Sequence, residues 1–183
     1  MFYSRDLVSS APSVQLFTVC PEKTPRIRQS AVFRKVTCSK GFSGVLVSDY
    51  YSAYDSLECL QQKCLIHLMR DFNHDIQGNP WDEELKSLAG KLGSLLREIV
   101  ATIDKHGLKH RYLVKHKMEI DCFFGFLAAD TFRSDLATNY RERLLKCRDK
   151  LFTFLDHDGI PWNNNPAEHA VKQFAYYREN IDG

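Results

Sequence analysis

In GFSGVLVSDYYSAYDSL (41–57) the apolar positions fall side by side: Val45, Leu46 and Val47 form a short run bounded by Gly44 and by Ser48-Asp49. A continuous β-rich run of that length between turn residues predicts a buried strand that ends in a polar loop. Downstream the period lengthens. In CLIHLMRDFNHDI (64–76), Leu65, Leu68, Met69 and Phe72 recur at helical spacing. Trp81, Leu85, Leu88, Leu92, Leu95, Ile99 and Ile103 then repeat every three or four residues, one apolar stripe bracketed by Asn79-Pro80 and Gly107. Two more helices are predicted, over about 109–128 and about 133–155, the second along Leu136, Tyr140, Leu144, Leu151 and Leu155. HDGIP (157–161) carries turn chemistry, and a last helix is predicted from Pro166 through Val171, Phe174 and Tyr177.

Upstream, QLFTV (15–19) and AVFRKVT (31–37) read as strands, separated by the loop-like PEKTPRIRQS. A helical block lying between a sheet strand and a late helix is the pattern of an insertion in an α/β domain. The predicted organisation is an N-terminal segment over 1–40, a core built from 41–78 and 157–183, and an all-helical insertion over 79–156.

Composition adds bounds. The 183 residues suit one domain with an insertion, and 44% hydrophobic with 26% charged residues is ordinary for a folded domain. No apolar stretch approaches the roughly 18 residues of a membrane span, and the first residues lack the apolar segment of a signal peptide. The six cysteines, at 20, 38, 59, 64, 122 and 147, are irregularly spaced, which fits reduced thiols in the cytoplasm. Cys64 and His67 make half of a zinc-site spacing, with no second half in sequence. The net charge of +2 is uneven: +5 over residues 1–40 and −3 over the rest. Bulk charge therefore does not announce a nucleic-acid binder.

Candidate chemistry sits at a few places. Asp49 closes the one clear strand, either as a turn residue or as a hard oxygen ligand suited to Mg²⁺ or Mn²⁺. Asp55 is a neighbouring alternative ligand, or a loop cap. In PWNNNPAEHAVK (161–172), Asn165 can cap the last helix, Pro166 fits its first position, and Glu168 stands where a capping-box carboxylate would. If the strand and the last helix share a core, Asp49 and Glu168 can meet as ligands of a two-metal phosphoryl-transfer site. Tyr50, Tyr51 and Tyr54 can stack on bases or pack the junction between strand and helix. KHGLKHRYLVKHK (105–117) holds five Lys/Arg, three His and no acid. Lys105, Lys109, Arg111, Lys115 and Lys117 are thus candidate phosphate contacts, or one solvated helical face.

Three blocks, GFSGVLVSDYYSAYDSL, QQKCLIHLMRD and KLFTFLDHDGIPWNNNPAEHAVK, resemble the insertion-sequence-66 family of bacterial transposases in the family's order, over about residues 41–183. The resemblance implies a ribonuclease H-like α/β core, here incomplete at its N-terminal strands, with a large helical insertion. It implies DDE chemistry: three acids hold two divalent metals, Mg²⁺ or Mn²⁺, water cuts the element ends, and the freed 3′-OH attacks target DNA. Asp49 falls on the second acid and Glu168 on the last. Cys64 and His67 fall on a Cys-x-x-His element, a secondary structural pair. His169 and Lys172 stand where relatives carry arginine, and Lys172 joins the candidate DNA contacts. The first acid has no clear counterpart, since Asp6 is the only aspartate before Asp49 and its surroundings do not read as a buried strand.

The expectation is therefore a truncated, cytoplasmic, nucleoid-associated transposase copy, its residues 1–40 frameshifted or degenerate. Its partners would be element-end and target DNA, with full-length transposase or a second copy of itself, and it would bind metal weakly and transpose little on its own. A non-catalytic DNA-binding remnant that interferes with transposase is the alternative. A metal-dependent nuclease unrelated to transposition is disfavoured by the NNNPAEH block.

Overall fold

A computed structural model of the chain describes residues 44–164. Val45–Ser48 forms β1, fully buried, as its apolar run requires. Its neighbour β2, Leu60–Lys63, pairs with it in parallel, Val45 opposite Leu60 and Ser48 opposite Lys63. The crossover over residues 49–59 contains only a 3-10 turn, Ser52–Ser56.

β2 is absent from the sequence reading, because Gln61, Gln62 and Lys63 look like a loop and yet are buried. Specific hydrogen bonds make that burial tolerable. The Gln62 amide donates to the carbonyls of Lys63 and Leu151, at 2.8 and 2.7 Å, and its oxygen accepts from Phe154 N–H at 3.0 Å. Gln61 donates to the carbonyls of Tyr54 and Leu57, at 2.7 and 3.0 Å. The Thr153 hydroxyl donates to the Gln61 carbonyl at 2.6 Å, so the outer edge of β2 is closed by residues 151–154.

The helices are α1 (Leu65–Gly78), α2 (Glu83–His106), α3 (His110–Leu113), α4 (Lys117–Ala129), α5 (Asp135–Lys146) and α6 (Arg148–Leu151). α2 is the spine, packed against α1, α3, α4 and α5. Its stripe buries Leu85, Leu88, Leu92 and Ile99 as the periodicity predicts, while Leu95 and Ile103 are only partly covered. Trp81 corrects the prediction: it precedes the Asp82 N-cap and is 86% exposed. The Asp82 carboxylate accepts from Leu85 N–H at 2.9 Å, and Gly107 ends α2 at a φ of 72°, a conformation that favours glycine.

The two later helical runs are broken rather than continuous. Val114–His116 tightens to a 3-10 turn between α3 and α4, and Cys147 and Phe152 interrupt the second run on either side of α6. One hydrophobic core joins β1, α1, α2, α4, α5 and residues 151–160. Among the described residues no helix is long and apolar enough to cross a membrane.

Candidate functional site at the end of strand β1

The end of β1 is held by the last residues of β2 and the start of α1. The Asp49 carboxylate accepts from Tyr51 N–H at 3.0 Å, a tight Asx turn. The Asp49 carbonyl accepts from the Ser48 hydroxyl and from the Lys63 ammonium, both at 3.1 Å. Lys63 is 1% exposed and pairs with Asp55 at 3.1 Å; Lys150 approaches the same Asp55 oxygen at 3.5 Å. Burial pushes the Asp55 carboxyl up, but the hydrogen bond and charge of Lys63, aided by Lys150, outweigh it and hold the group below its ordinary range. Asp55 is thus engaged by two lysines, the role of a loop anchor.

Of the three tyrosines, Tyr54 is buried and Tyr51 exposed. The Tyr50 ring lies under the Arg143 guanidinium, 3.9 Å from it, and burial pushes its hydroxyl well up. Arg143 also pairs with Asp71 at 2.8 Å, so α5 reaches across α1 to the residue after Asp49.

Cys64 joins two distant parts of the chain. Its N–H donates to the Ser48 carbonyl at 2.8 Å, and its sulfur accepts from Asn164 N–H at 3.3 Å. Beside it, Leu65 N–H donates to the Trp162 carbonyl at 3.2 Å. The end of β1 and the segment entering the asparagine block therefore flank one residue. Burial raises the Cys64 thiol, but His67, in the first turn of α1, and the Asn164 N–H hold it below its ordinary range. The sequence-predicted pair Cys64 and His67 is brought together. Among the described residues no group of three or more His, Cys, Asp or Glu could hold a metal ion, and the four cysteines there are free thiols. Glu168, His169 and Lys172, like Asp6, lie outside the described residues.

The basic tract forms the corner where α2 turns into α3. Lys105, Lys109, Arg111, Lys115 and Lys117 are all exposed. Its histidines are structural. His106 stacks on Tyr112 with ring centroids 4.1 Å apart, and His110 bonds the Leu155 carbonyl at 2.7 Å. His116 is buried between Thr102 and Glu119, at 2.9 and 2.8 Å. Lys117 pairs with Asp156. Lys63 is the site residue that the sequence reading missed, because nothing in LQQK signals a buried cation.

The family described as Transposase IS66 family matches the chain over residues 3–183. The chain belongs to the IS66 transposase family. The match opens at residue 3, which corrects the narrower span of 41–183: residues 3–40 carry the family likeness as well. The three quoted motif blocks all lie downstream of residue 40, which is why motif reading alone stopped there. No curated protein and no solved structure matches the chain. IS66 membership places the strand-end aspartate, the Cys-His pair and the asparagine block in a transposase, for which DNA is the substrate class that the family implies.

Proposed function

We propose that this chain carries part of a DDE-type transposase site, with Asp49 and Glu168 as two of its metal-holding carboxylates on a ribonuclease H-like core. The observation that supports the reading is the pair of hydrogen bonds at Cys64, whose N–H donates to the Ser48 carbonyl while its sulfur accepts from the Asn164 N–H. Asp49 follows Ser48 directly. Glu168 follows Asn164 by four residues, a chain length that spans at most about 14 Å. Both acids are therefore tethered within reach of one point. Mg²⁺ or Mn²⁺ suits the donor type: Asp49 offers a hard carboxylate at a strand end, half-exposed, with one oxygen held by Tyr51. Bound there, such ions would supply an activated water and charge compensation for phosphoryl transfer. The chain's own part is to hold the two carboxylates and, through the exposed cations of 105–115 and through Lys172, the DNA backbone. Without an evident first acid, transposition by this copy alone should be weak or absent.

Mn²⁺ binding to the purified chain, followed by calorimetry, tests the reading. Asp49→Asn and Glu168→Gln should each weaken binding at least tenfold, while Asp55→Asn weakens it less. Equal binding by all four proteins would sink it. A second reading, a non-catalytic DNA-binding remnant that acts on full-length transposase or on a second copy of itself, is favoured by the exposed cations at the α2–α3 corner. It predicts that Asp49→Ala and Glu168→Ala leave DNA binding untouched and that no strand transfer occurs in Mn²⁺.

A further inference from the structure

Lys63 is a cation buried at the end of β2, with 1% of its side chain exposed. Moving an ammonium from water into a protein interior costs several kcal/mol unless its charge is paired and its donors are filled. Here all three donors have acceptors: Asp55 Oδ1 at 3.1 Å, the Asp49 carbonyl at 3.1 Å and the Ser48 hydroxyl at 3.5 Å. The Tyr54 ring lies 5.9 Å from the same nitrogen. These groups sit at two ends of one short excursion, the close of β1 and the 3-10 turn that follows it. A single ammonium thus fastens the crossover onto the strand end.

We propose that Lys63 is a positioning residue for Asp49: it fixes the Asp49 carbonyl, so that the Asx turn to Tyr51 presents the remaining carboxylate oxygen in one direction. Held at the carbonyl by Lys63 and at one carboxylate oxygen by Tyr51 N–H, Asp49 has little freedom left. Asp55 then serves as the counter-charge that lets the ammonium stay buried. The functional weight of this inference rests on Asp49 as a metal ligand, as argued above, but the positioning itself is separately measurable.

The test uses the full chain with Lys63→Met combined with Asp55→Asn, which removes the charge pair together and so avoids an orphaned buried ion. A purely structural pair predicts a folded double variant with the Asp49 loop unchanged. Positioning predicts a folded double variant whose backbone amide order parameters at Asp49, Tyr50 and Tyr51 fall from the rigid range near about 0.85 toward about 0.6, with Mn²⁺ affinity down at least fivefold. If that variant fails to fold, Lys63→Gln with Asp55→Asn gives the same reading with a polar side chain too short to reach the Asp49 carbonyl. Native order parameters at residues 49–51 in a folded double variant would overturn the proposal. Asp49→Asn beside it separates the two ideas. If Asp49→Asn leaves Mn²⁺ binding intact, the metal reading falls, and the order parameters still decide on Lys63.

Discussion

Asp55 stands between Lys63 and Lys150 with its side chain about a third open to water, 36% by area. Its carboxyl titrates below the ordinary value of 3.8 because the two lysines outweigh its burial. The linkage sign follows. A carboxyl with a depressed folded pKa lends stability that is whole above its unfolded pKa and is lost as pH falls through the folded value. The native chain should therefore lose stability as pH drops below about 4, and Asp55→Asn should lose less over that window. At pH 7 the same variant should be less stable by about 1–3 kcal/mol, since the buried ammonium then faces only neutral acceptors. Urea midpoints at pH 7 and at pH 3 check both statements, and parallel losses in the two proteins would refute the linkage. The strand end that precedes Asp49 was legible at this scale, because an apolar run closed by polar residues marks itself locally. Lys63 was not, since only tertiary neighbours reveal that it is buried.

Two helices begin side by side and cap one another. Asp82 caps α2 through Leu85 N–H, Ser134 caps α5 through Ala137 N–H at 3.2 Å, and the Ser134 hydroxyl donates to the Asp82 carboxylate. Glu84 accepts from the N–H groups of Arg133 and Ser134, at 2.7 and 2.8 Å. Removing one cap normally costs about 1 kcal/mol. Because the two caps share a bond, Asp82→Ala and Ser134→Ala should each cost about 1–2 kcal/mol, and the double variant less than their sum by about 0.5 kcal/mol or more. A double-mutant cycle in urea measures that coupling, and strict additivity would remove it. The Asp82 start was only approximately legible, with Asn79-Pro80 taken as the boundary. β1 and the stripe of α2 were legible because a continuous apolar run marks a fully buried strand and a three-to-four spacing marks a helix with one buried face. β2 was not, since its strand partner is β1 and its buried Gln62 is satisfied by Leu151 and Phe154, 89 and 92 residues away. The break at Val114–His116 was likewise hidden, because the buried His116 is held by Thr102, fourteen residues back, as well as by the nearby Glu119.

For the molecule as a whole, the basic corner is joined to the turn at residues 158–159. Gly159 N–H donates to the Leu108 carbonyl at 2.8 Å, and Asp158 accepts from His110 N–H at 2.6 Å. The corner is thereby pinned to the turn that leads into Trp162 and Asn164. The positive charge of this corner was legible as a run of residue types, but which cations remain available depends on the fold. Lys117 pairs with Asp156, whereas Lys105, Lys109, Arg111 and Lys115 have no acidic partner among the described residues. A cation already paired gains little from a phosphate, because it must first give up its carboxylate. Duplex DNA binding measured against salt should separate the two classes. Each phosphate neutralised contributes roughly 0.9 to the slope of log affinity on log salt. Replacing Lys105, Lys109, Arg111 and Lys115 together by Gln should therefore flatten that slope by about 2–4 and weaken binding most at low salt, while Lys117→Gln leaves it nearly unchanged. A slope that responds equally to Lys117 would mean that the corner binds DNA by diffuse charge alone, and a slope indifferent to all five would move the DNA path elsewhere on the molecule.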